Sequence, residues 1–243
     1  MTRKILIVTG AGISVDSGIP TFRHSGEDSI WKKFPPEIYC NFELFSSRGH
    51  KDSKFVEEVQ QFYQDRKVDL QSKLPNIAHH LCQKMQDQFG AEIITTNIDD
   101  LHEKAGSKDV LHLHGDFSSY ECVKCGHEWG YDDDVKNCSK CGSYHTKPKI
   151  VFFGEPAPKY AEFSEKLQEL DDGDTIIFVG MSGDVINPGY WLQNFCPARN
   201  MVNTVWINPE LPPDHPFYGI YPFSEIIREP ASVGLQTIFD RMM

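Results

Sequence analysis

The stretch Ile5–Arg23, ILIVTGAGISVDSGIPTFR, decides how this chain is read. Ile5–Val8 is a continuous apolar run with no polar alternation, and it ends at Thr9-Gly10. That pattern predicts a strand buried on both faces that feeds a tight turn. Gly10 and Gly12 follow at once, so the backbone there can approach a neighbour or a ligand closely. A helix starting near Ile13 would aim unpaired N–H groups at a phosphate. The dinucleotide fingerprint is G-x-G-x-x-G. Here the third glycine comes late, at Gly18, so the glycines alone make only a partial match.

The same short run recurs. AEIITTNID (91–99), PKIVFFG (148–154), DTIIFVGMS (174–182) and NTVWIN (203–208) are all apolar and closed by polar residues or glycine. Between them lie helical patterns at 54–70, 76–89, 159–170 and 232–242. Strands alternating with helices predict a parallel sheet covered on both faces, an α/β architecture. Two regions break the rhythm, about 24–75 and 119–147. They read as parts of a smaller module inserted in a Rossmann-like domain made of 1–23, 76–118 and 148–243.

The totals bound the function classes. The chain has 243 residues, 40% of them hydrophobic and 24% charged, with a formal net charge of −11. That size suits one domain with an insert. The acidic balance argues against direct nucleic-acid binding and suits basic partners such as lysine-bearing protein tails. No apolar run approaches the ~18 residues of a membrane span. The start, MTRKILIVTGAG, lacks the form of a secretory signal, so a cytoplasmic setting is expected.

Seven cysteines include two C-x-x-C pairs, Cys122/Cys125 and Cys138/Cys141. In a reducing compartment this spacing predicts one zinc ion held by four thiolates. Four protein ligands leave no position for water, so the site is expected to be structural. Gly126 and Gly142 follow the second cysteine of each pair, as a tight turn requires. His127 and His145 then read as surface residues, and Cys40, Cys82 and Cys196 as small buried hydrophobes.

Six ordered motifs carry a resemblance over nearly the whole chain. They are GAGISVDSGIPTFR (10–23), TTNIDDLHEKAG (95–106), LHLHG (111–115), the paired cysteines with KPKIVFFGE (147–155), VGMSGDVINP (179–188) and INPE (207–210). Together they resemble the sirtuins, the NAD-dependent protein deacylases. The resemblance implies a Rossmann-like domain and a small module of zinc ribbon plus helices, with NAD and acyl-lysine meeting between them. It implies that Gly10, Ala11, Gly12, Gly180 and Ser182 lie at the NAD pyrophosphate, and Phe22 and Arg23 near the phosphate and nicotinamide end. Asn97, Ile98 and Asp99 would recognise nicotinamide and position the reacting ribose, with Asn97 and Asp99 counted as catalytic. Asn208 would bind the adenosine ribose, and Val233 would lie by the adenine. Val151, Phe152, Phe153 and Gly154 would hold the substrate backbone.

His114 takes the position of the family's general base. By resemblance it helps deprotonate a ribose hydroxyl after the acyl oxygen has captured C1′, and the products are lysine, nicotinamide and O-acyl-ADP-ribose. An imidazole suits that task because its ordinary pKa lies near working pH. His102 reads as structural, and His112 shares a strand face with His114 without matching the base. Three departures stand out. Thr96 replaces the family's usual Gln, and Val15 stands where close relatives often have Ala. Met181 replaces a Thr, at a cost of about 1 kcal/mol if a phosphate hydrogen bond is lost.

Tyr63 and Arg66 are three apart on a predicted helix and share a face. They match the Y-x-x-R of the class III branch, which removes succinyl, malonyl or glutaryl groups. An Arg fork with a Tyr hydroxyl can bind an acyl carboxylate through charge-assisted hydrogen bonds. The expected enzyme is therefore a monomeric deacylase acting on acetyl-lysine and on succinyl- or malonyl-lysine in proteins or peptides. The alternatives are an NAD hydrolase or ADP-ribosyltransferase on the same scaffold, and a zinc-ribbon binding module without catalysis.

Overall fold

A computed structural model describes residues 3–21, 33–130, 137–210 and 223–243. Its main body is a parallel sheet of six strands: β1 Ile5–Thr9, β2 Glu92–Thr95, β3 Leu111–His112, β7 Thr175–Val179, β8 Asn203–Ile207 and β9 Glu225–Ile227. They lie in the order β3-β2-β1-β7-β8-β9. All five residues of β1 are buried. Alternation sorts its side chains. Leu6 and Val8 join Phe178, Trp206, Phe163 and Leu192 on one face. Ile5 and Ile7 join Ile177, Met85 and Leu235 on the other. Each face needs its own helices, which is why the strands read as unbroken apolar runs.

Three of those helices match the sequence periods within a residue or two, and the fourth, Pro188–Phe195, has no counterpart among the periodic stretches. They are α4 Ile77–Phe89 and α8 Ala231–Met242 on one face, and α6 Lys159–Gln168 and α7 Pro188–Phe195 on the other, with α5 Leu101–Lys104 a single turn after β2. Asn76 starts α4. Its side chain accepts from Ala78 N at 2.9 Å, and its own amide reaches Ile13 O at 2.8 Å. One residue thus caps a helix and ties it to the turn after β1. That turn is a 3₁₀ helix over Ala11–Ser17.

The second unit is a three-stranded antiparallel sheet, β5-β4-β6, made of β4 Gly115–Cys122, β5 Glu128–Gly130 and β6 Thr146–Ile150. Helices α1 Pro36–Tyr39, α2 Phe42–Gly49 and α3 Ser53–Gln71 accompany it. A separate core of Phe45, Phe55, Val59, Phe62, Tyr63, Ile150 and Phe152 joins helices to sheet. The fold is therefore a Rossmann-like α/β body with a small zinc-ribbon-and-helix module.

Two expectations are corrected. The run 148–154 does not join the parallel sheet. Its first half is β6, paired with β4, and past Ile150 it leaves the ladder, with an isolated bridge from Phe153 to Asn41. Ile150 and Phe152 of this run pack into the small module's own core, a burial that an apolar run by itself does not distinguish from a parallel sheet. His145 is buried, not at the surface. Its ring packs 4.9 Å from Phe45 and Nε2 bonds the Phe45 carbonyl at 3.0 Å. None of the described helices is long and apolar enough to cross a membrane.

Candidate active site

The sheet order reverses between β1 and β7. In open α/β sheets the crevice outside the strands' C-terminal ends at such a point is where ligands bind. Here the turns after β1 and β7 press together. Gly12 N donates to Gly180 O at 2.9 Å, and a Cβ on Gly10 would stand 2.9 Å from Met181 Cγ. Gly10 has an extended backbone, so it is small for space and not for conformation. The glycines expected to admit a ligand thus make room first for each other's turns. Gly180 adds a true left-handed conformation, φ 64°.

The loop after β2 is held over this point by buried polar contacts. Asn97 Nδ2 donates to Ser14 Oγ at 3.2 Å and to Gly10 O at 3.3 Å. Ser14 Oγ in turn donates to Asp99 Oδ2 at 3.1 Å. Ser14 is fully buried and joins the two loop residues into one network. The sequence reading did not single it out, although it sits inside the glycine-turn motif. Burial pushes the Asp99 carboxyl up, opposed by the Leu101 N–H, the Ser14 hydroxyl and the charge of His112. Ile98 faces the other way and packs with Ile19, Leu70, Leu101 and Phe117.

His112 and His114 grip consecutive carbonyls of that loop. His112 Nδ1 meets Asn97 O at 2.9 Å, and His114 Nδ1 meets Thr96 O at 2.9 Å. Their outer nitrogens differ. His112 Nε2 lies 3.0 Å from Glu103. Burial opposes its charge, but the Glu103 bond and charge outweigh burial and raise its pKa. Among the described residues His114 has no carboxylate partner. Burial lowers its pKa, with the Thr96 bond pulling the other way, and Nε2 lies 2.8 Å from the Tyr160 hydroxyl. His102 is buried and bonded to Thr9 Oγ1 at 3.0 Å, a structural setting.

The remaining expected residues sit as follows. Ser182 Oγ donates to Asp184 Oδ2 at 3.0 Å, a bond that a phosphate would have to displace. Asn208 Nδ2 donates to Met181 O at 2.9 Å, which fixes the β7 turn against β8. Val233 is 48% exposed on α8. Phe22 and Arg23 lie outside the described residues. Val151 N bonds His114 O at 2.8 Å, so the segment expected to hold substrate and the histidine share a backbone link. Phe152 is buried, Phe153 is 48% exposed, and Gly154 turns the chain at φ 82°.

A buried cation braces that segment. Lys147, 1% exposed, reaches Glu155 Oε2 at 3.0 Å and Ile150 O at 2.9 Å, and it pairs with Glu121. Glu155 Oε2 also accepts from Phe152 N at 2.8 Å.

Cys122, Cys125, Cys138 and Cys141 come together with all four sulfurs within 4.8 Å of one another. The pairs Cys122–Cys141 and Cys125–Cys138 are each 3.6 Å apart. Zinc bonds of ~2.3 Å in a tetrahedron space sulfurs about 3.8 Å apart, so the donors fit one zinc. Gly126 and Gly142 close the two knuckles at φ 66° and 69°. Cys40, Cys82 and Cys196 are buried elsewhere.

The chain belongs to the Sir2 family, whose pattern matches residues 10–187. Among its relatives, an NAD-dependent protein deacylase of Aquifex aeolicus (strain VF5) is 35% identical, over 98% of this chain and 94% of its own. A solved Sir2 homologue mutant in complex with ADP-ribose superposes with a TM-score of 0.78 at 29% identity, covering 98% of this chain and 90% of its own. A Sir2 bound to acetylated peptide superposes at 0.72 and 25% identity, covering 99% and 93%.

Proposed function

We propose that this chain is an NAD-dependent deacylase of protein lysines with His114 as its general base. One observation carries the reading. His114 is anchored through Nδ1 to the Thr96 carbonyl, on the loop that carries Asn97 and Asp99, which leaves Nε2 as the proton acceptor. A carbonyl can only accept, so the ring proton resides on Nδ1. Membership of the Sir2 family supports the same activity.

The crevice fits NAD by the chemistry of its donors. Asn97, Asp99, Ser14 and Asn208 are buried polar groups at the strand ends, where carboxamide and ribose hydroxyls need partners. Gly10, Ala11, Gly12, Gly180 and Ser182 would take the pyrophosphate, Asn97, Ile98 and Asp99 the nicotinamide end, and Asn208 and Val233 the adenosine end. When bound, NAD supplies an ADP-ribosyl group with nicotinamide as its leaving group. His114 receives a ribose hydroxyl proton at Nε2, and Val151–Gly154 align the acyl-lysine backbone. Zinc holds the small module together and takes no part in bond making.

The acyl group is read from Tyr63 and Arg66. Both are buried on α3, with Tyr63 stacked on Phe152 at 5.2 Å. The Tyr63 hydroxyl donates to Cys40 Sγ at 3.2 Å, and Arg66 pairs with Asp69 at 2.8 Å. A dicarboxylic acyl group would exchange the half-exposed Asp69 for its own carboxylate at Arg66. Succinyl- and malonyl-lysine are therefore proposed substrates alongside acetyl-lysine.

The test is nicotinamide release from NAD with no peptide, with acetyl-lysine peptide and with succinyl-lysine peptide, repeated for His114→Ala. Release that needs a peptide and vanishes in the variant supports the deacylase. Release indifferent to peptide would replace this reading with an NAD hydrolase.

A further inference from the structure

We propose that Tyr160 is a positioning residue for the base: in the free protein its phenol caps Nε2 of His114 and must yield that lone pair to the ribose hydroxyl. The proposal rests on reading His114 as the base.

The hydrogen-bond directions follow from the atoms. Thr96 O accepts from Nδ1–H at 2.9 Å, so the neutral ring keeps its one lone pair on Nε2. The Tyr160 hydroxyl, 2.8 Å away, must then be the donor. Burial pushes the Tyr160 phenol up to about 12, so it holds its proton throughout the working range. Among the described residues the hydroxyl has no other hydrogen-bond partner. Protonating Nε2 would turn the bond round, with the phenol oxygen accepting and its own proton left without a partner among the described residues, so the contact as it stands favours the neutral, base-competent ring.

The phenol is held by packing. Tyr160 lies on α6, and its ring meets Trp191 of α7 edge-on at 5.3 Å, while Trp191 packs on Phe163 at 4.9 Å. The ionisable groups around His114 are committed elsewhere. His112 faces Glu103, Asp116 accepts from Ser118 N, Asp99 accepts from Ser14 and Leu101 N, and Glu162 of α6 pairs with Lys159. Among the described residues, Tyr160 and the Thr96 carbonyl are thus the groups in hydrogen-bond contact with the ring.

This contact implies an exchange during turnover. The ribose hydroxyl can donate to Nε2 only after the phenol has left it. Until then the base is closed to other donors, water included.

The test follows the His114 ring by NMR in the intact, zinc-loaded protein without NAD, in wild type, in Tyr160→Phe and with 3-fluorotyrosine at position 160. Phenylalanine keeps the packing on Trp191 and removes the donor. The His114 pKa should rise by about 0.5–1 unit, and the unprotonated Nε2 should show loss of a hydrogen bond. Fluorotyrosine is a stronger donor and a weaker acceptor, so it should move the pKa down. The acid limb of kcat/KM should shift with the free-protein pKa in each variant. An unmoved His114 pKa in both variants overturns the proposal. The titration needs no turnover, so it is independent of whether His114→Ala abolishes activity, which judges the base reading itself.

Discussion

Gly12 and Gly180 meet with no space between them: a Cβ built on Gly12 would stand 2.6 Å from Gly180 Cα. Backbone lies on both sides, so no side chain can move to relieve the clash. Gly12→Ala should cost roughly 1–3 kcal/mol or more, which lowers Tm by about 2–12 °C in a chain of this size. Gly130→Ala is the control, since nothing lies near its Cβ. A thermal melt of both variants checks this, and equal melting temperatures would refute the packing argument.

The four sulfurs should hold about one zinc ion per chain. Cys125→Ser should lose the metal and loosen the β4–β5–β6 sheet while the parallel sheet stays folded. Metal analysis and limited proteolysis read the two effects separately. Zinc retained at full stoichiometry by the variant would contradict a four-thiolate site.

Lys147 is buried between Glu155 and Glu121. Lys147→Met leaves buried carboxylate without its cation, at a cost of roughly 3–5 kcal/mol. Adding Glu155→Gln should return part of it, because the amide oxygen can still accept from Phe152 N. Urea unfolding of the single and double variants measures the recovery, and a neutral single variant would show that the pair does not brace the segment.

Stability should fall as pH drops below about 6.5. Burial lowers the His79 pKa to about 4 and holds His102 well below the ordinary value. The unfolded chain takes up protons first, so the stability from each neutral ring is complete above the unfolded pKa. It is lost as pH falls from there toward the folded pKa. Each ring gives a slope approaching about 1.4 kcal/mol per pH unit. His112 works in the opposite sense through Glu103, which is largely exposed and screened. Urea midpoints at pH 7 and 5.5 test the sign, and His79→Gln should flatten the slope.

Arg66→Met should lower kcat/KM for succinyl-lysine peptide roughly 10- to 100-fold, the worth of a charge-assisted bond. Acetyl-lysine should change far less, because its acyl group ends in a methyl. Equal losses on both peptides would mean that Arg66 only supports α3.

Much of this protein was legible in its sequence because the relevant signals are local. Ile5–Val8 and Ile176–Val179 are unbroken apolar runs, and only a sheet covered on both faces buries such runs completely. The Cys-x-x-Cys spacings predict the sulfur cluster because each knuckle closes within a few residues. The order of the glycine, TTNID and LHLHG motifs foretold the family.

What needed the tertiary structure is what depends on chain crossings. The glycines after β1 have their partner at Gly180, some 170 positions away. His145 lies in a core against Phe45, although its sequence setting is a polar, cysteine-rich segment. Tyr160 meets His114 across 46 positions, from a helix whose period shows only that one side is apolar. Periodicity and spacing determine which face a residue occupies. Which distant group that face meets is decided when the helices dock on the sheet.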